Sequence, residues 1–260
     1  MALGDELAEQ YANADPFPHI IIDNFLPRET IDLCLEHFPT APDPGSQSFD
    51  RDQERFKTSY HPDYLPAPVR NLFYAFNSRP FVRLVENITG IKHLIPDPYF
   101  QGGGFHEITN GGHLSVHADF NHHKLMNLER RVNVLIYLNH DWREEYGGQL
   151  ELWRPDMSER VVSAVPVANR CAMFTTNATS MHGNPNRVAH PDGVTRKSIA
   201  LYYYTATWRE DKAARTTQFR RRPGTEDQTD WEVWRKQVLN DVLPPILSRA
   251  ISRVNHKLRR

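Results

Sequence analysis

The chain has 260 residues, with 31 Lys and Arg against 32 Asp and Glu and a formal net charge of −1. That length suits one large domain or two small ones, and a hydrophobic fraction of 39% is enough for a core. The near-neutral balance argues against a dedicated nucleic-acid binder, which carries a strongly basic surface. No apolar run approaches the ~18 residues of a spanning helix, and the opening MALGDELAEQ has acids where a secretory signal needs basic and then apolar residues. Cys34 and Cys171 are too few for a disulfide scaffold or a cysteine-built zinc module. A cytoplasmic protein is expected, in which the Asn87 and Asn177 sequons carry no glycan.

Residues 1–98 are expected to form a mainly helical support after a strand-like run at 19–22, within the same domain as residues 99–207. Ile31, Cys34, Leu35 and Phe38 follow helical spacing behind Pro27. Val69, Leu72, Phe73 and Phe76 repeat it, as do Phe81, Leu84, Val85 and Ile88 behind Pro80. The polar stretch 45–64 between them is expected to be a lid or a disordered connection. Residues 99–207 change to period two: Val132, Val134, Ile136 and Leu138 alternate with Asn133, Leu135, Tyr137 and Asn139. Further short strands are expected at 149–153, 161–167, 171–175 and 198–205. Together they suggest a mainly β fold, a double-stranded β-helix or jelly-roll core, with N-terminal and C-terminal helices packed outside. The three glycines at 102–104 lack the later members of any phosphate-binding motif and read as a bulge or turn. Residues 208–260 are expected to be a helical extension, one face made by Trp231, Trp234, Val238 and Val242 and a second by Leu247, Ala250, Ile251, Val254 and Leu258. The last helix carries Arg249, Arg253, Lys257, Arg259 and Arg260 without an acid; a solvated face is expected, with an acidic partner or membrane surface as the alternative.

Thirteen histidines stand out. Residues two apart on a strand share a side, so His-x-Asp places an imidazole beside a carboxylate. A second histidine from a distant strand would complete the two-histidine, one-carboxylate face that binds non-haem Fe(II). The pattern occurs at 61–63, 117–119 and 190–192. The first and last have a central proline, which a ladder tolerates poorly, and read as turns. His117-Ala118-Asp119 ends the strand-like run 112–116. His182, after the apolar run 173–175 and before Gly183-Asn184-Pro185, fits the distal ligand. Arg196 opens the last strand, and its planar fork can grip a carboxylate with two hydrogen bonds, which suits a dicarboxylic cosubstrate.

These residues, spread over an expected jelly roll, resemble the iron(II)/2-oxoglutarate-dependent oxygenases. Tyr137-Leu138-Asn139-His140-Asp141-Trp142 followed by Gly147-Gly148-Gln149-Leu150 is similar to the prolyl 4-hydroxylase branch, as is the opening from Phe17-Pro18-His19-Ile20 to Asp23-Asn24-Phe25-Leu26-Pro27. Clear resemblance covers about residues 100–205. It implies His117, Asp119 and His182 as the catalytic metal ligands and Arg196 as partner of the distal 2-oxoglutarate carboxylate. Tyr137 becomes a donor to the same cosubstrate, with Leu150 and Ser198 lining its pocket. The branch has a second tyrosine on the strand before His-x-Asp; counting back ten residues from His117 reaches Glu107, which cannot donate unless protonated.

The implied reaction uses Fe(II), 2-oxoglutarate and O₂, with ascorbate as reductant, releases succinate and CO₂, and hydroxylates a C–H bond. The carboxylate of Asp119 favours hydroxylation over halogenation, which needs a small residue there. A prolyl residue, another peptide or a small molecule is the expected substrate, and no nucleic acid. No general base is needed, so His113, His122 and His123 are expected in structural or substrate-contact roles. Two other readings stay open: a cupin-like metal oxygenase without 2-oxoglutarate, which would favour a His-x-His pair absent here, and a non-catalytic jelly-roll binding protein.

Overall fold

The computed structural model describes residues 2–209, 211–225 and 227. Before the core come α1 (Ala2–Ala12), β1 (His19–Ile22), α2 (Arg28–Glu36), the hairpin β2 (Gln47–Arg51) and β3 (Glu54–Tyr60), α3 (Ala67–Phe76), α4 (Arg79–Thr89) and β4 (Ile95–Pro96). Proline sits just before α2 and in the first turn of α3 and of α4, where its fixed φ suits helix entry and no N–H is needed. The apolar positions bury one face of each helix: Ile31 and Cys34 on α2, Val69, Phe73 and Phe76 on α3, Val82, Val85 and Ile88 on α4. These faces pack with Val132, Val134, Ile136, Met173, Ile199, Leu201 and Tyr203 in one continuous core.

Among the described residues nine strands follow: β5 (Gly104–Ala118), β6 (His122–His123), β7 (Leu128–Tyr137), β8 (Leu150–Trp153), β9 (Arg160–Ala164), β10 (Cys171–Thr175), β11 (Met181–Asn184), β12 (Arg196–Thr205) and β13 (Gln218–Phe219). The barrel hydrogen-bonds in the order β1-β10-β7-β12-β5-β11-β8-β9, a sheet that curls into a nearly closed jelly roll with the helices outside. The period of two sorts the side chains. On β7, Val132, Val134 and Ile136 join the helices, while Tyr137 is buried with Leu150, Leu152, Ala172 and Phe174 on the other face.

Strand β5 joins the two halves of the barrel. Its first part pairs with β12, from Gly104↔Ala200 to Ile108↔Arg196, and its last part with β11, where His117 lies opposite His182. Between them the strand kinks. At Gly112 any Cβ would stand 2.5 Å from Ile108 Cγ2 and 2.7 Å from the Arg55 carbonyl, so only glycine lets the strands approach here.

The polar stretch 45–64 is an ordered hairpin. Its second strand pairs along β5 from Glu54↔Leu114 to Tyr60↔Phe105. Backbone ladder bonds hold it, with an ion pair of 2.8 Å between Lys57 and Glu54, which is why its apolar content is low. Of the residues expected to form the C-terminal extension, 218–219 form β13; the helices expected at 231–242 and 247–258 lie outside the described residues. No helix among the described residues is long and apolar enough to cross a membrane.

Candidate active site

His117 is the last residue but one of β5, Asp119 follows directly after the strand, and His182 is the second residue of β11, directly opposite His117 in register. Antiparallel pairing brings directly opposed residues to the same face, and the two rings stand 4.5 Å apart between centroids. Each ring is fixed in the same way. His117 Nδ1 donates to the Ser115 carbonyl at 2.9 Å, and His182 Nδ1 to the Ser180 carbonyl at 2.9 Å. A carbonyl only accepts, so Nδ1 carries the proton and Nε2 keeps its lone pair. Both Nε2 atoms face Asp119, at 3.6 Å from Oδ1 for His117 and 3.3 Å from Oδ2 for His182. The three residues each offer a ligand atom, all within 4.8 Å of one another, close enough for one ion to reach all three.

The carboxylate is itself held. Asn133 Nδ2 donates to Asp119 Oδ2 at 2.8 Å, and Arg130 stands 3.1 Å from the same oxygen. Arg130 is buried, bonded to the Asn133 amide oxygen and stacked over the Tyr202 ring at 3.6 Å. Burial alone would raise the Asp119 carboxyl, but Arg130 and the two imidazoles hold it well below the usual carboxylate range. Burial pushes the His182 imidazole down against the pull of Asp119. An ionised carboxylate and a neutral imidazole are the forms that bind a metal.

Deeper in the barrel, Arg196 is 4% exposed and lies 5.0 Å over the Tyr137 ring. Its Nε donates to the Gly148 carbonyl at 2.7 Å, and no acidic side chain pairs with it among the described residues. Gly148 has φ +71°, and a Cβ there would come within 2.8 Å of Arg196 Cδ. Among the described residues the buried Tyr137 hydroxyl has no hydrogen-bond partner. Burial raises this phenol above its ordinary value and lowers the Arg196 guanidinium. Leu150 packs with Tyr137, and Ser198 lies opposite Tyr137 in register. A buried cation and an unsatisfied hydroxyl side by side are groups arranged for an anion that enters from outside the chain.

Residues 103–204 match the family model described as the 2OG-Fe(II) oxygenase superfamily. That match runs from the start of β5 into the end of β12. Among solved structures, the chain is similar to a prolyl hydroxylase from Trichoplax adhaerens in complex with a hypoxia inducible factor oxygen degradation domain peptide fragment. That likeness has a TM-score of 0.56 and 19% identity, over 82% of this chain and 93% of that one. A Pseudomonas putida prolyl-4-hydroxylase gives a TM-score of 0.54 at 17% identity, over 78% of this chain and 99% of that one. An oxidoreductase of the 2OG-Fe(II) oxygenase family from Burkholderia pseudomallei gives 0.51 at 14%, over 81% and 94%. At these identities the structural likeness speaks for the fold. No curated protein matches by sequence.

In this barrel core the position ten residues before His117 faces away from the site. Glu107 accepts from Tyr60 Oη at 2.7 Å and from Thr195 Oγ1 at 2.6 Å, on the side opposite Arg196. The inward residue is His106, opposite Ser198, buried, with Nε2 bonded to the Gly102 carbonyl at 2.9 Å. The kink at Gly111-Gly112 shifts the parity that counting assumes.

His61 caps a short 3₁₀ turn, and His190 caps another turn through Nδ1, accepting from the Asp192 N–H. His122 stacks on Trp208 at 4.0 Å, and His123 is fully buried 3.3 Å from Asp97. Arg130, Asn133 and His106 belong to no motif that marks them in the sequence. The alternation of β7 puts Asn133 on the Tyr137 side, which is a readable signal for that residue. Arg130 is hidden because the β7–β12 register shifts between Tyr203 and Tyr204.

Proposed function

We propose that this chain is an iron(II)- and 2-oxoglutarate-dependent dioxygenase that hydroxylates an unactivated C–H bond. In this reading His117, Asp119 and His182 hold the ferrous ion, and Arg196 with Tyr137 holds the distal carboxylate of 2-oxoglutarate in a pocket lined by Leu150 and Ser198. The observation that carries it is the buried Arg196 guanidinium with no acidic partner beside the unpartnered Tyr137 hydroxyl, in the same barrel as the triad. An iron ion held by His117, Asp119 and His182 would supply oxidation of a C–H bond coupled to decarboxylation of 2-oxoglutarate to succinate and CO₂.

The chain's own residues do the positioning. The Ser115 and Ser180 carbonyls fix both imidazoles in the Nδ1–H tautomer. Arg130 and Asn133 occupy one carboxylate oxygen of Asp119, which keeps it ionised and turned toward the two Nε2 atoms. Arg196 supplies a fork for a carboxylate, and Tyr137 an O–H donor that burial keeps protonated. The substrate is a prolyl residue, another peptide or a small molecule, and ascorbate is the expected reductant.

The test is to incubate purified protein with Fe(II), ascorbate and 2-oxoglutarate in air and to follow succinate. Slow, iron-dependent succinate release is expected without any added substrate. Iron binding without 2-oxoglutarate binding would instead support a cupin-like oxygenase. No iron binding would support a non-catalytic barrel.

A further inference from the structure

Strand β5 orders three residues along its length through its pairings. His117 lies opposite His182, Leu114 opposite Asn184 and Ile108 opposite Arg196. Asn184 therefore stands at a level between the metal ligands and the deep guanidinium.

Asn184 also shares their face of the sheet. It is two residues beyond His182 on β11, and residues two apart on a strand point to the same side. On the other edge of β11, His182 lies opposite Leu152, which packs inside the barrel with Tyr137 and Leu150. The opposing stretch of β5 carries one extra residue between Leu114 and His117. That bulge puts Leu114 on the His117 face although the two are three apart, because directly opposed residues share a face. Pro185 follows Asn184, and the residue before a proline is kept extended, so the alternation of β11 runs to its last residue.

The amide has nothing to bind. Asn184 is 5% exposed, and among the described residues its Nδ2 has no hydrogen-bond partner. The opposed Leu114 side chain carries no acceptor. A primary amide offers two N–H donors, and a core that leaves such a group unpaired is waiting for an acceptor from elsewhere. The Tyr137 hydroxyl at the Arg196 end is in the same condition. An anion that spans the distance from the triad to Arg196 would pass Asn184 on its way.

We propose that Asn184 is a further cosubstrate-binding residue, whose Nδ2 donates to the 2-oxoglutarate carboxylate nearer the metal while Arg196 and Tyr137 hold the far one. The assignment rests on the dioxygenase reading and deepens it. Each end of the dicarboxylate then has its own donor on the chain, and the two ends contribute to affinity separately.

The test is calorimetric binding to the full chain loaded with Ni(II), with 2-oxoglutarate and oxalate as ligands. Oxalate keeps the metal-chelating end and lacks the distal carboxylate. Asn184→Leu preserves the size of the side chain and removes both donors. It should weaken both ligands about tenfold, leave Ni(II) affinity unchanged and leave the ligand-free melting temperature equal or higher. Asn184→Ser keeps one donor on a shorter side chain and should lose less. Arg196→Met should weaken 2-oxoglutarate and spare oxalate. Unchanged 2-oxoglutarate affinity in both Asn184 variants, or a loss for 2-oxoglutarate that leaves oxalate untouched, overturns the assignment. So does a wild type that binds 2-oxoglutarate but not oxalate, since the distal carboxylate then carries the affinity alone. A ligand-free melting temperature that falls in both Asn184 variants overturns it too, by showing that the amide is already paired within the fold. Failure of the Ni(II)-loaded wild type to bind 2-oxoglutarate overturns the dioxygenase reading, and this role with it.

Discussion

The two ends of the candidate active site differ in how complete they are. At the triad the groups that aim the ligands are already answered: both Nδ1 atoms have carbonyls, and Asp119 has Arg130 and Asn133. Deeper in the barrel, Arg196 has a single backbone acceptor and the Tyr137 hydroxyl has none. One end is shaped in advance of its ligand, and the other carries a desolvation cost that only an anion relieves. Truncations should therefore act in opposite directions on the ligand-free fold.

The largest expected effect breaks the first region outright. His182→Ala should remove iron-dependent succinate release and weaken Ni(II) binding by more than about 100-fold, with an unchanged circular dichroism spectrum. Full activity would mean that another histidine completes the site. Asp119→Ala should destabilise the ligand-free protein by about 3 kcal/mol in urea unfolding, because Arg130 is then buried without its counter-charge. Arg196→Met tests the second region. It should raise the 2-oxoglutarate requirement about 100-fold while leaving metal affinity nearly unchanged. The smallest effect sharpens the contrast: Tyr137→Phe should weaken 2-oxoglutarate binding several-fold yet stabilise the ligand-free chain by about 1 kcal/mol, since it removes a buried hydroxyl that has no partner. A loss of stability in Tyr137→Phe would show that the hydroxyl is satisfied without a ligand.

The barrel strands and the His117–Asp119 pair were legible because they rest on parity within one strand. His117 and Asp119 share a face at any register, and the prolines of 61–63 and 190–192 removed the competing His-x-Asp pairs. The β7 alternation likewise separated the helix-facing valines from Tyr137. Legibility failed where parity is reset. The Gly111-Gly112 kink turned Glu107 outward and His106 inward, and a register shift between β7 and β12 concealed Arg130. The 45–64 hairpin was unreadable for a different reason: ladder bonds to β5 and the Glu54–Lys57 pair hold it, and neither leaves a hydrophobic pattern. The partnership of β13 with β5 joins residues about a hundred apart through two backbone pairs, with no local signature at all.

The most direct test of the metal centre and its cosubstrate pocket is anomalous diffraction at the iron edge, from crystals grown anaerobically with Fe(II) and 2-oxoglutarate. One iron peak is expected, bounded by Nε2 of His117, Nε2 of His182 and the Asp119 carboxylate, with 2-oxoglutarate density running from it to Arg196. A peak elsewhere in the chain, or iron at the triad with the Arg196 pocket holding no carboxylate, would contradict the assignment.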